Sequence, residues 1–439
     1  MKKSLLALAA LGAFAGSAQA QSSVTVYGIL DVGFLSTNGT SGAANANGTA
    51  AVTASADGAT AAVGSTAGSA NGGKRVTSAI NSSNLATSRL GFRGIEDLGG
   101  GLSASFVAEI GLTPTSNGFS GSTNASSTPL GTGYVNNSAV LDNRQSFVGL
   151  AKKGMGEVRV GRQYTPVHES LCATNVGMCN AVAGDLMYSG ANSTNTMSTA
   201  NQINVSYQIR ASNAIRFATE NINGFQAAAL LSVNNLQNQN DGNASLATQA
   251  GQGSTNYRMY GFNATFTGVK NLDARVAYQI TSLNRDNLVA TATSRTVLGS
   301  SMVDVVPASA QGVSKQEQKD AYANISYDFG VAKVGIQRVE LKVEAAGTQT
   351  QKRTANQLAV SAPITKTISA WATYGQGKIQ AATSATQYDF SGMQLGGLYS
   401  LSKRTSLYGI YGQFQQDPAT AGQQKYKDQQ YAVGVRHTF

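Results

Sequence analysis

The chain has 439 residues, of which 12% are charged and 41% hydrophobic, with 49 Gly, 6 Pro and a formal net charge of +10. That composition excludes a polytopic helical membrane protein, since each crossing would need roughly 20 consecutive apolar residues. The 17 Tyr and 14 Phe, spaced in clusters, argue against disorder, and two Cys with two His support neither a disulfide framework nor a metal site.

Residues 1–20 begin with a positive pair, Lys2 and Lys3, continue through an apolar run from Leu5 to Phe14 and end Ala18-Gln19-Ala20. This is the layout of a cleaved secretory signal peptide, with the mature chain starting at Gln21 outside the cytoplasm. The run is too short for a membrane anchor.

Strands are expected near 23–36, 83–95, 101–112, 141–152, 156–163, 201–219, 224–233, 256–267, 271–283, 319–329, 331–343, 353–364, 367–379, 388–401, 404–415 and 427–439. The parity is clearest in 102–112, where Leu102, Ala104, Phe106, Ala108, Ile110 and Leu112 share a face opposite Ser103, Ser105 and Glu109. It recurs in 272–280, where Leu272, Ala274, Val276, Tyr278 and Ile280 oppose Asp273, Arg275 and Gln279. Period two with one apolar and one wet face defines a half-buried strand.

The connections are sorted by length. Short turns such as 96–100, 153–155, 221–223, 268–270 and 402–403 alternate with long polar segments near 37–82, 113–140, 164–200, 234–255, 284–318 and 416–426. The segment 37–82 is of low complexity, rich in Ala, Gly, Ser, Thr and Asn. Sixteen strands, an even number, with one trimmed and one elaborated end predict a 16-stranded antiparallel transmembrane β-barrel, its wet face inward and its apolar face toward lipid. Backbone in hydrocarbon demands a closed sheet. The alternative from another class is a secreted or surface all-β adhesin, which accounts for the leader and the alternation but not for the sorted loops.

The last strand, YAVGVRHTF, places Tyr431, Val433, Val435, His437 and Phe439 on one face and Arg436 on the other. The stretches SVTVYGILDVG at 23–33, SRLGFRGIEDLGGGL at 88–102, NRQSFVGL at 143–150, EVRVGRQYTP at 157–166 and the terminal VGVRHTF together resemble the trimeric Gram-negative general porins of the beta-proteobacterial branch. They occur in order along the whole chain. The resemblance implies a homotrimer, a third loop folded into the lumen as a constriction, and a terminal Phe439 read by the outer-membrane assembly machinery. The segment 37–82 is longer than such a family leads one to expect.

Parity also lists the charges of the wet face. Arg89, Arg93, Arg159 with Glu157, Arg210, Arg216, Arg275 and Arg436 point inward, against fewer acids, chiefly Asp31, Glu109 and Asp273. Guanidinium groups stay charged and are weakly hydrated, so a wall of them lowers the barrier to anions. The resemblance singles out Arg89, Arg93, Arg159, Arg162 and Arg210 for the basic wall of the constriction. Arg162 rests on its GRQ motif, since its own parity points away from Arg159 unless a bulge intervenes. Arg144 is ambiguous, because Phe147 and Val148 give opposite parities.

The segment 164–200 is the expected constriction loop, with Glu169 and Asp185 as acids facing the wall. Cys172 and Cys179 lie close together in it, and outside the cytoplasm such a pair is expected to be a disulfide. No G-x-S-x-G elbow and no H-E-x-x-H occur. The basic residues are dispersed along strands and do not form an aromatic-lined nucleic-acid patch. The expected function is therefore a non-enzymatic, cofactor-free, water-filled channel in the outer membrane for small hydrophilic solutes and ions, with a preference for anions.

Overall fold

A computed structural model describes residues 23–40, 74–115, 141–188, 207–238, 253–288, 297–298, 302–303, 312–345, 347–381, 387–417 and 425–439. The predicted leader at 1–20, most of segment 37–82 and residues 189–200 of the predicted constriction loop lie outside them.

The elements in chain order are β1 (Ser23–Thr40), β2 (Lys74–Ser82), β3 (Arg89–Gly99), β4 (Leu102–Gly111), β5 (Asn143–Lys152), β6 (Gly156–Tyr164) and helix α1 (Pro166–Thr174). They continue with β7 (Arg210–Ala218), β8 (Phe225–Asn238), β9 (Gly253–Phe266), β10 (Leu272–Leu288) and a two-residue hairpin of β11 (Val297–Leu298) and β12 (Met302–Val303). The last seven are β13 (Gly312–Asp328), β14 (Lys333–Ala345), β15 (Thr348–Pro363), β16 (Ile368–Ala381), β17 (Gln387–Ser400), β18 (Thr405–Gln416) and β19 (Tyr426–Thr438).

Apart from the small hairpin, every strand pairs with its chain neighbour, antiparallel wherever a register is drawn, and β1 closes the sheet on β19 from Ile29↔Thr438 to Thr40↔Lys427. β2 and β3 lie end to end beside β1, so the 17-stranded sheet has sixteen staves. Closure leaves no open edge, the condition a membrane core imposes on strands. Phe439 completes the seam: Gly28 and Phe439 exchange backbone hydrogen bonds of 3.0 and 3.1 Å.

The alternation of faces follows the sequence. Val24, Val26, Phe92, Val148, Val158, Val160, Ile215, Phe262, Ile325, Ile336, Leu395, Val433 and Val435 are exposed on the outside. Residues of the opposite parity, such as Glu109, Gln163, Arg216, Gln279, Gln357 and Gln430, are buried on the inside. Aromatic pairs, Phe225 with Phe266 and, edge to face, Tyr327 with Phe329, pack near the short-turn end. Toward the other end of β13–β15 the outer face turns ionic, with Lys319 and Lys342 on Glu344 and Lys352 on Glu340. An apolar band bounded by aromatic and charged rims is the outer surface of a spanning barrel.

Three boundaries differ from the reading of the sequence. The hairpin of β1 and β2 extends into segment 37–82, because Thr37–Thr40 pair with Lys74–Thr77. The strand expected at 83–95 is interrupted at 83–88, where the chain leaves the sheet and turns inward. There the Asp31 carboxylate accepts from the Leu85 and Ala86 amides and from Tyr408, while its amide donates to Ser88. Asp31 is therefore a buried clamp rather than a lumen charge. Finally, of the strand expected at 201–219, residues 201–206 lie outside the described residues and β7 starts at Arg210. Tyr207 and Ile209, which an unbroken alternation with Arg210 and Arg216 inward would turn to lipid, pack inside against α1, and the parity resets at Asn213, whose φ is +51°. A local bulge of this kind breaks a period-two reading.

Candidate functional site

The chain leaves β6 into the lumen. Thr165 caps α1 by accepting from the His168 amide, and Pro166 occupies the first turn, where no amide is needed. The helix packs against the inner faces of β8, β9, β10 and β13. Its residues Val167 and Leu171 join Leu186, Met187, Tyr207, Tyr322 and Leu341 in one buried apolar cluster. Tyr207 faces the His168 ring across 3.2 Å, and burial pushes its phenol well above the usual value, leaving a neutral hydroxyl.

Residues 175–188 run on along the inner wall. Glutamines from five strands hold the loop backbone. Gln279 accepts from Val167 N, Gln337 donates to Thr174 O, Gln357 accepts from Leu186 N, Gln394 donates to Val182 O and Gln430 accepts from Ala183 N, over 2.8–3.3 Å. Arg353 donates to Leu186 O at 2.8 Å. The loop can lie this close because Gly392 and Gly412 face it: a Cβ on Gly392 would meet Gly184 O at 2.6 Å, and one on Gly412 would collide with Ala183 O. The inward turn at 83–88 holds the far end, with Ala181 N donating to Asn84 O at 2.9 Å and Leu85 buried beside Val182.

Cys172 and Cys179 are joined, with Cα atoms 5.6 Å apart, and link the last turn of α1 to the tight turn that follows it.

Among the described residues, the loop lines the arc from β8 round to β19 and leaves β3–β7 as the open wall. Arg89, Arg144 and Arg210 converge there on Tyr164 and Glu109. Arg144 Nε donates to Glu109 Oε1 at 2.8 Å and Arg144 Nη2 to Tyr164 OH at 2.9 Å. Arg89 Nη1 is 3.8 Å from Glu109 Oε2, and Arg210 lies over the Tyr164 ring at 5.4 Å. Arg162 donates to Asn143 O and Ser212 Oγ at a register shift between Gly161 and Gln163, within electrostatic reach of Arg210 and Arg144. One step along the same wall, Arg159 pairs with Glu157 at 2.6 Å and covers Phe147 at 4.9 Å, and Arg93 covers Tyr27 at 5.2 Å.

The other expected residues separate. Arg216 stands opposite Arg159 in register and bonds Glu169 of α1 at 2.8 Å, and Asn263 adds a contact to the same carboxylate. Arg275 is taken up by Asp273 through two bonds of 2.8 and 3.0 Å near the turn before β10, away from the Arg89 group.

Asp185 does not face the basic wall. Its carboxylate accepts from Asn175, from the Met187 and Tyr188 amides and from Gln357, so it staples the loop to itself and to β15. Arg436 reaches Met178 of the loop.

Arg144 and Arg353 escaped assignment from sequence. Arg144 turns inward through a register shift between β4 and β5, and period two carries no sign of that. Arg353 has the wet parity of Gln357 and was legible on that ground. The wet-face glutamines were also legible, but not their partners.

The Gram-negative porin family model matches residues 7–419. Outer membrane porin protein 32 of Delftia acidovorans is 28% identical over 420 residues, 93% of this chain and 88% of that protein. An outer membrane porin protein of Bordetella pertussis is 26% identical over 467 residues, the full length of both. Among solved structures, an anion-selective porin from Comamonas acidovorans superposes with a TM-score of 0.58 at 22% identity, covering 95% of this chain and all of that one. The trimer form of OmpT from Vibrio cholerae gives 0.55 at 12% identity, covering 95% and 99%. With its closed sixteen-stave barrel and its inward-folded loop, the chain belongs to the Gram-negative porin family and is a non-enzymatic β-barrel porin of the outer membrane.

Proposed function

We propose that this porin is a passive, water-filled diffusion channel for small hydrophilic solutes that favours anions. The observation that carries this reading is the convergence of Arg89, Arg144 and Arg210 on one carboxylate, Glu109, along the wall the loop leaves open. A local excess of fixed positive charge in a narrow aqueous passage raises the concentration of anions and lowers their barrier. Arg93 and Arg159 continue the positive wall on the side of the short turns, while Glu169 offsets Arg216. The anion selectivity of the Comamonas relative accords with this reading.

The working unit is proposed to be a homotrimer, as in the trimer form of the Vibrio structure, exported after cleavage behind Ala20 and inserted by the outer-membrane assembly machinery through its terminal Phe439.

Reversal potential across a planar bilayer under a salt gradient tests the proposal. Stepwise conductance with an anion-sided potential is expected. A cation-sided potential would reject the assignment of selectivity to the arginine wall.

A further inference from the structure

We infer that, among small organic anions, this channel favours planar aromatic carboxylates; the inference rests on the anion-conducting reading and names its substrate class. Three arginines of the open wall are each laid against an aromatic ring: Arg93 on Tyr27, Arg159 on Phe147 and Arg210 on Tyr164, at 5.2, 4.9 and 5.4 Å. The six residues come from β1, β3, β5, β6 and β7, a contiguous wall in the barrel order except for β4. β4 supplies Val107 to the gap, in register with Arg93 on one side and Phe147 on the other. The wall between Arg93 and Arg159 is thus the apolar pair Val107 and Phe147, with Tyr27 on the far side of Arg93.

Arg93 and Arg159 are open to the lumen. Arg93 is exposed, and among the described residues no carboxylate pairs with it. The Arg159 side chain retains 29% exposure despite its bond to Glu157. A fourth stack, Arg353 on Phe390, is buried beneath the loop and is closed to solutes.

A guanidinium is flat, weakly hydrated and attractive to aromatic faces on either side of its plane. Packed on Tyr27 or Phe147, the guanidinium is held in place while the rest of its surface stays open to the passage. A benzoate-like solute lays its ring against that guanidinium while its carboxylate is held by the positive charge of the wall. Chloride uses only the charge. A saturated ring of similar size carries the same charge but has no π face.

The test compares benzoate with cyclohexanecarboxylate on the purified channel. Relative permeabilities are taken from reversal potentials against chloride at low salt, each corrected for mobility in free solution. Benzoate is expected to exceed cyclohexanecarboxylate by roughly threefold, the size an exposed cation–π contact supports, and Phe147→Leu, which removes the Arg159 stack and leaves the Arg93 one, is expected to narrow the difference. Equal permeabilities in the wild-type channel, with anion selectivity intact, overturn the inference without touching the reading beneath it. A benzoate preference left undiminished by Phe147→Leu in a folded, heat-modifiable barrel also overturns it. A cation-selective channel would remove the underlying reading itself.

Discussion

Arg144 Nε and Glu109 Oε1 meet at 2.8 Å across a pair of strands whose register slips at that row, Glu109 facing Gln145 while Ile110 faces Asn143. The slip turns Arg144 inward where strict alternation leaves it ambiguous, and it brings a third guanidinium to the carboxylate shared by Arg89. Both side chains are about 3% exposed, so the pair is fixed and keeps the surrounding positive charge in place.

Replacing Arg89, Arg144 and Arg210 together by Gln is expected to move the reversal potential toward cations. A unit charge about 5 Å from the ion path is worth about 0.8 kcal/mol in water, or roughly fourfold in permeability ratio per arginine at low salt. The effect should shrink as salt rises, which a series of gradients measures directly.

The two loop acids should part company. Glu169→Gln releases Arg216 from its partner and is expected to strengthen anion selectivity. Asp185→Asn removes a carboxylate that serves the loop's own amides, so its expected effect is noisier current with little change in selectivity. Single-channel recordings of both variants separate the roles.

Gly392→Val and Gly412→Val are expected to push residues 182–184 off the wall and reduce single-channel conductance. The cause is steric: the added side chain occupies the space of Gly184 O or Ala183 O. Barrel closure, read from heat-dependent gel mobility, should be retained.

Opening the Cys172–Cys179 link with reductant, or by Cys179→Ser, is expected to increase current noise. A ring of eight residues is worth about 2–3 kcal/mol by loop entropy. The glutamine contacts and the Asp185 staple remain, so mean conductance should change little. Quiet recordings from fully reduced protein would show that those contacts alone hold the loop.

Phe439→Ala removes the ring beside Gly28 but keeps the two backbone bonds at the seam. A lower yield of heat-modifiable, folded barrel with unchanged conductance per channel is expected, and quantitative gels alongside bilayer recordings would check both parts.

Much of this was legible from residue order alone. Alternation in 102–112 and 272–280, repeated along the chain with connections sorted by length, determines a closed barrel, because each strand has one face for water and one for lipid and no edge is tolerated in hydrocarbon. It also tells which way Arg93, Arg159, Arg216, Arg275, Gln279 and Gln357 point. What only the tertiary structure decided lies where period two fails or where partners are distant in sequence. The slips beside Arg144, Arg162 and Asn213 are single-residue events in a ladder, and they depend on how two strands meet rather than on either strand alone. Asp31 and Asp185 look like free lumen acids in sequence; they become structural because the folded chain satisfies them, Asp31 through the Leu85 amide 54 positions away and Asp185 through the nearby Met187 amide and the Gln357 side chain 172 positions away. The path of the loop is set by glutamines and glycines contributed from strands as far as β19, whose convergence exists only once the barrel has closed.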